Sequence, residues 1–359
     1  MLIIRFLNIN KVEQGDEEPK RCSIHQTPPH LDNYCACHDG RLRFFHCASH
    51  LQQKPLPPPQ DVTIAIPTLP FAALAQIAQH QGFYLQEGLH ATPLVYPYGK
   101  PALQAVVDGS ADFAVVAETP FMFAVLNGEK ISIVATILTS SEAHAIVARK
   151  DRGIVKYEDL KGRRIGATLG TSGHFFMDAF LVAHGISNAD VEAVDLKPEE
   201  MADALANGTV DAISTWQPFL SYTQQKMGDR GVSFKDEDIH RLTFNIIATH
   251  DFIRHNPEQV AKVIRALVKA EEFAIREPAA AQKTVADFCH IDREVLRRFW
   301  PAYSFQVTLD QSLLLALEDE SQWAMGNGLV KKRQIPNYLN FIYYDGMQSV
   351  KPERLMILR

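Results

Sequence analysis

From Asp61 onward the chain alternates short apolar runs with amphipathic stretches. Residues 62–66, 91–96, 113–116 and 131–137 read as strands, and residues 71–81, 100–108 and 120–127 between them as helices. Residues 143–149 are expected to form a strand that leaves this first layer. A second unit follows: strand 164–168, helix 174–184, strand 191–195, helix 198–207 and strand 212–214. Residues 242–249 read as a strand returning to the first layer. Helices are then expected at 257–276, 278–288, 293–299, 311–326 and 336–341. Apolar strands alternating with helices predict βαβ units and a mainly parallel sheet. Departure and return predict an α/β chain of two lobes joined by two crossover strands. One lobe takes residues 61–145 and 247–359 and the other 146–246, with a ligand between them.

Residues 1–60 carry little apolar periodicity and end in a proline-rich stretch, 52–60, expected to be an extended linker. Cys22, Cys35, Cys37 and Cys47 lie there beside His25, His38, His46 and His50, whereas the rest of the chain holds only Cys289. Pairs two residues apart can chelate zinc, but the spacing is irregular, so a disordered extension without stoichiometric metal is expected. The 359 residues are 46% hydrophobic and 22% charged, ordinary for a globular protein, and their formal charge of −6 argues against nucleic acid as a partner. No run of 18 apolar residues predicts a membrane-spanning helix. Residues 1–7 are too short an apolar stretch for a recognisable signal peptide.

The candidate chemistry lies at expected strand ends. Gly170-Thr171-Ser172-Gly173 is a turn of small residues before a helix, and Thr215-Trp216-Gln217-Pro218-Phe219 closes a strand. Ligands of open α/β sheets sit at the carboxyl ends of strands, and helix starts there leave backbone N–H groups free for anions. Thr68, Tyr98, Lys100, Glu118, Thr119, Thr171, Ser172 and His174 share that placement; Trp216 and Tyr98 are candidate aromatic walls, and Gln217 offers both donor and acceptor. The plainer roles are helix caps for the hydroxyls, a core position for Trp216, an exposed Lys100 and a dipole-complementing Glu118. A Glu118 facing the cleft would imply an amine-bearing ligand. His144 and His174 are candidate donors to an anion. No nucleophile with its base is expected near these turns, which points to binding rather than catalysis, with no metal or cofactor.

Four stretches carry a family resemblance: 62–89, with Pro67-Thr68-Leu69-Pro70 and Gly82-Phe83-Tyr84-Leu85; Asp159-Leu160-Lys161-Gly162 through Gly166; Gly170–Gly173 with Trp216-Gln217-Pro218-Phe219; and Pro336-Asn337-Tyr338-Leu339 through Glu353. In their order and spacing the chain resembles the solute-binding proteins of ABC importers of the nitrate/sulfonate/taurine type, including the thiamine-precursor binders. Gln217 stands where that family usually has an acidic residue. The resemblance implies a bilobal periplasmic-binding-protein type II fold. It also implies a monomer that captures a sulfonate, nitrate-type anion, taurine or pyrimidine in the periplasm and hands it to ABC permease subunits. Two alternatives share the fold. One is an enzyme like the thiamine-pyrimidine synthases, whose iron site and cysteine-rich loop find only Cys289 in this core. The other is a ligand sensor whose 60-residue extension docks a partner.

Overall fold

The computed structural model describes residues 58–358. The expected extension, its linker up to residue 57 and its Cys/His pairs lie outside the described residues. A division of the chain falls between Pro55 and Leu56.

The strands are β1 (Gln60–Pro67), β2 (Leu89–Tyr96), β3 (Phe113–Ala117), β4 (Ile131–Ser140), β5 (His144–Arg149), β6 (Arg164–Ala167), β7 (Glu192–Asp195), β8 (Ala212–Trp216), β9 (Gly231–Phe234), β10 (Leu242–Thr249), β11 (Ser304–Asp310) and β12 (Leu355–Met356). Among the described residues they form a seven-stranded sheet, β12-β11-β4-β10-β3-β1-β2, and a five-stranded sheet, β7-β6-β8-β5-β9. The first is the heart of lobe one, the second of lobe two. β3, β1 and β2 run parallel, as βαβ units require, while β10 lies antiparallel between β3 and β4. β4 is buried along its whole length, its apolar residues together with Ser132, Thr136, Thr139 and Ser140.

Lobe two shows the strand period plainly. Ile146 and Ala148 of β5 enter the apolar cluster on one face with Ile165, Phe176 and Phe180; Ala145 and Val147 enter the other with Ile213 and Leu220. In lobe one the helix Pro257–Arg276 has proline in its first turn and buries Val260, Val263, Ile264, Leu267, Ala270 and Ala274, a stripe at three- and four-residue spacing.

The chain changes lobe at two places, between β4 and β5 and between β9 and β10. Lobe one's sheet regains the chain at Leu242, paired with Ser140, rather than at 247, and His144 already belongs to β5, paired with Trp216. Residues 70–72 form a 3-10 turn ahead of the helix Ala73–His80. The helices Phe219–Met227, His250–His255 and Tyr344–Val350, and the strands β9, β11 and β12, were not anticipated. β9 and β12 are four- and two-residue strands and offer too little alternation to register.

A chain beginning at Leu56 is expected to unfold with the same transition shape as the full chain and a midpoint within a few degrees of it by circular dichroism. A transition broader than the full chain's, or displaced from it by more than a few degrees, would show that the first 55 residues belong to this core.

Candidate functional site

The two lobes meet over a narrow cavity of about 20 Å³, room for roughly one water. Lobe one lines it with Leu69, Phe71, the turn Tyr98-Gly99-Lys100, Ala117, Pro120 and Phe244; lobe two supplies Thr171, Ser172 and Trp216. Three helices start here: Gly99–Val107, Glu118–Leu126 and Ser172–Ala183. None is capped by the side chain of its N-cap residue, Tyr98, Ala117 or Thr171. His174 N donates to the Thr171 carbonyl at 3.0 Å, while the amides of the first two residues of each helix, Gly99, Lys100, Glu118, Thr119, Ser172 and Gly173, receive no such side-chain cap, and the positive ends of three helix dipoles converge.

Trp216 ends β8, yet its side chain joins the apolar cluster of lobe one and is 4% exposed. It lies so close over the start of the helix Ser172–Ala183 that a Cβ on Gly173 would stand 2.9 Å from its Cζ3. Its indole Nε1 is buried without an acceptor among the described residues. Lys100 Nζ crosses the cleft to donate to the Leu169 carbonyl at 2.9 Å. Thr171 Oγ1 turns back to the Thr168 carbonyl at 2.6 Å. The inner cavity thus gathers Tyr98, Lys100, Thr171, Ser172 and Trp216 from the ten expected residues.

The other five are placed elsewhere. Thr68 does not line this cavity; its hydroxyl reaches the Tyr96 carbonyl at 3.4 Å. Glu118 is fully buried and faces away from the cleft: Oε2 accepts from Thr243 N at 2.7 Å and Thr243 Oγ1 at 3.0 Å, and Oε1 lies 2.8 Å from His240 Nε2. Thr119 donates to Glu320 Oε1 at 2.9 Å. His174 is packed edge-on against Trp323, and burial holds its imidazole down at about 4. Gln217 Oε1 accepts from Ser221 Oγ at 2.7 Å and borders a separate cavity of about 850 Å³, shared with Tyr222, Lys235, Asp292 and Arg298. These side chains were assigned to the cleft because their backbones start helices there. The side chains themselves follow other partners, from remote segments for Glu118 and Thr119 and from the next helical turn for Gln217.

A serine and a histidine do meet at the cleft, against expectation. Ser172 Oγ lies 3.0 Å from Nε2 of His144, whose ring is stacked on Phe176. Burial, reinforced by His240, holds the His144 imidazole well below its usual range, so it is neutral. No carboxylate is bonded to His144 among the described residues, so the pair lacks the third group that orients a catalytic base. Cys289 is buried against the Gln76 amide, and burial pushes its thiol up to about 12, far from a reactive thiolate.

Behind the cleft, His240 on the second crossing sits between Glu118 and Glu320, with Nε2 3.5 Å from Glu320 Oε1. Burial opposes the His240 charge, but the two carboxylates outweigh it and hold the imidazole up at about 9. Burial and the neighbouring Glu118 push the Glu320 carboxyl up. His240 and Glu320 had no signal in the sequence, since 122 and 201 residues separate them from their partners at the start of the helix Glu118–Leu126. Phe71 and Phe244 were likewise missed as cavity walls.

Two α/β lobes joined by two crossings, with helix starts turned toward one cleft, define a bilobal binding protein of the periplasmic type II class. The aliphatic sulphonate-binding protein SsuA of Escherichia coli superposes with a TM-score of 0.69 at 19% identity, over 80% of this chain and 98% of that one. The alkanesulfonate-binding SsuA of Xanthomonas axonopodis pv. citri, bound to MOPS, gives 0.68 at 20% identity, over 80% and 99%. This chain belongs to the NMT1/THI5-like family, whose family model matches residues 72–281. The taurine-binding periplasmic protein of E. coli is 25% identical over 225 residues, 61% of this chain and 68% of that protein.

Gly173→Ala is expected to displace the Trp216 ring, because the new methyl would meet a rigid indole rather than a flexible chain end. Overpacking of this kind costs about 1–3 kcal/mol. Near-ultraviolet circular dichroism and the tryptophan emission maximum should both shift, with a lowered melting temperature. Unchanged spectra would mean that the ring does not rest on Gly173.

Proposed function

We propose that this chain is the solute-binding component of an ABC importer and that its cleft takes a small organic anion with an apolar body, of the sulfonate class. The observation that carries this is the sign of the polar groups at the cavity. Lys100 Nζ, the unpartnered Trp216 Nε1 and the uncapped helix starts at Gly99, Glu118 and Ser172 all offer hydrogen or positive potential. Among the described residues no Asp or Glu lines the cavity. The rings of Phe71, Tyr98, Trp216 and Phe244 supply apolar walls. The names of similar proteins, sulfonate- and taurine-binding, support the same class. Because Glu118 is engaged with Thr243 and His240, no carboxylate among the described residues faces the cleft as a counter-charge for an ammonium group. Plain alkyl- or arylsulfonates therefore fit better than taurine.

Opening of the lobes about the two crossings admits the ligand and closure buries it. Delivery to membrane permease subunits from a periplasmic location follows from this role. Among the described residues no helix is long and apolar enough to cross a membrane. In this role the chain captures its ligand without turning it over.

Calorimetry with an alkanesulfonate, an arylsulfonate and taurine tests it: the first two should bind and taurine should bind more weakly. Trp216→Ala removes an aromatic wall from a desolvated site, worth about 2–4 kcal/mol, or roughly 30- to 1000-fold in Kd. Lys100→Met should weaken sulfonates while keeping the fold, as judged by circular dichroism. Equal dissociation constants for wild type and Trp216→Ala, or tighter binding of taurine than of a plain sulfonate, would refute the assignment.

A further inference from the structure

The cluster behind the cleft has the make-up of a binding site in its own right. One oxygen each from Glu118 and Glu320 and one imidazole nitrogen from His240 lie within 4.8 Å of one another, and all three residues are buried. Each carboxylate is aimed by a donor from outside the trio. Thr243 N and Oγ1 hold Glu118 Oε2, and Thr119 Oγ1 holds Glu320 Oε1. Glu320 Oε2, fully buried, has no hydrogen-bond partner among the described residues. A separate cavity of about 200 Å³, bordered by Phe175, Arg241, Leu315 and Asp319, reaches His240 and Glu320. No lysine or arginine pairs with either glutamate among the described residues. With every proton removed, this buried carboxylate pair and its imidazole carry two uncompensated negative charges and one unused oxygen.

We propose that Glu118, His240 and Glu320 bind one divalent transition-metal ion of the zinc type, reached through the cavity beside Glu320. One imidazole nitrogen and two carboxylates match zinc's ligand chemistry, and three protein ligands leave a fourth position toward the cavity. A dication with two carboxylates and a neutral imidazole is electrically neutral, whereas without it the same groups need two added protons to become so. Thr119 and Thr243 supply the outer hydrogen bonds that orient such ligands. Glu118 and Glu320 belong to lobe one and His240 to the second crossing, so the ion pins that crossing to lobe one. It stands apart from the cleft ligand, and the inference does not depend on what the cleft binds.

The test uses Zn²⁺ alone and the full chain carrying Cys22→Ser, Cys35→Ser, Cys37→Ser and Cys47→Ser, so that thiols outside the described residues take no part. Elemental analysis and calorimetry should find one ion per chain. Glu320→Gln, close in shape to the native side chain, should abolish uptake. Thr119→Ala, which removes only an outer hydrogen bond, should weaken it about 10- to 100-fold. Co²⁺ in place of Zn²⁺ should give visible bands of a nitrogen–oxygen site without thiolate charge transfer, a readout that needs no folded Glu320 variant. Absence of an ion from the four-serine chain, or uptake unaltered by Glu320→Gln and Thr119→Ala, overturns the proposal and leaves protons as the bridging species.

Discussion

The buried carboxylate of Glu118 is the interaction on which the rest of the arrangement turns. It begins a helix of lobe one and holds the first residues of β10 through the amide and hydroxyl of Thr243. A charged acceptor bonded to backbone and side-chain donors in a dry interior is strong, and its loss leaves unpaired groups on both sides. Its placement fixes where the second crossing enters lobe one's sheet. That entry sets Phe244 in the cavity wall and brings the start of the helix Glu118–Leu126 to the cleft.

Around this anchor, polar and apolar groups are divided between two sites of opposite character. In the cleft, donors face a narrow space with aromatic walls. Behind it, acceptors crowd about His240. The rings of His144 and His240, 5.1 Å apart, stand between the two. Trp323 stitches the lobes at another point: its Nε1 donates to Asp178 of lobe two at 2.9 Å, and its ring meets Phe123 of lobe one and Phe175 of lobe two. Burial pushes the Asp178 carboxyl up, as expected for a carboxyl held in such an apolar contact.

Much of the fold was legible because its elements obey local periods. The helix Pro257–Arg276 was delimited to the residue, since proline marks its first turn and its apolar stripe runs without interruption to Ala274. The alternation of strand and helix from β1 to β8 was equally plain. β11 does carry the strand alternation, Phe305, Val307 and Leu309 between polar residues, and escaped because it is a lone short strand in a stretch otherwise made of helices. The site was legible only as far as the backbone determines it. Helix starts located Tyr98, Lys100, Thr171 and Ser172, and a strand end located Trp216. The direction of the Glu118 side chain was not legible, because it depends on Thr243 and His240, residues far along the chain. Local pattern carries no information about such partners.

The contact between Lys100 and the Leu169 carbonyl has a consequence for selectivity. The ammonium already has a neutral dipole as its partner, so ligand entry at that position is an exchange and not a simple addition. A neutral solute would trade one dipole for another and gain little. An anion would trade a dipole for a full charge, and charge-assisted hydrogen bonds are roughly twice as strong as neutral ones. Discrimination at this point therefore rests on the difference between two partners for one cation, so that neutral solutes are rejected without any clash being built against them.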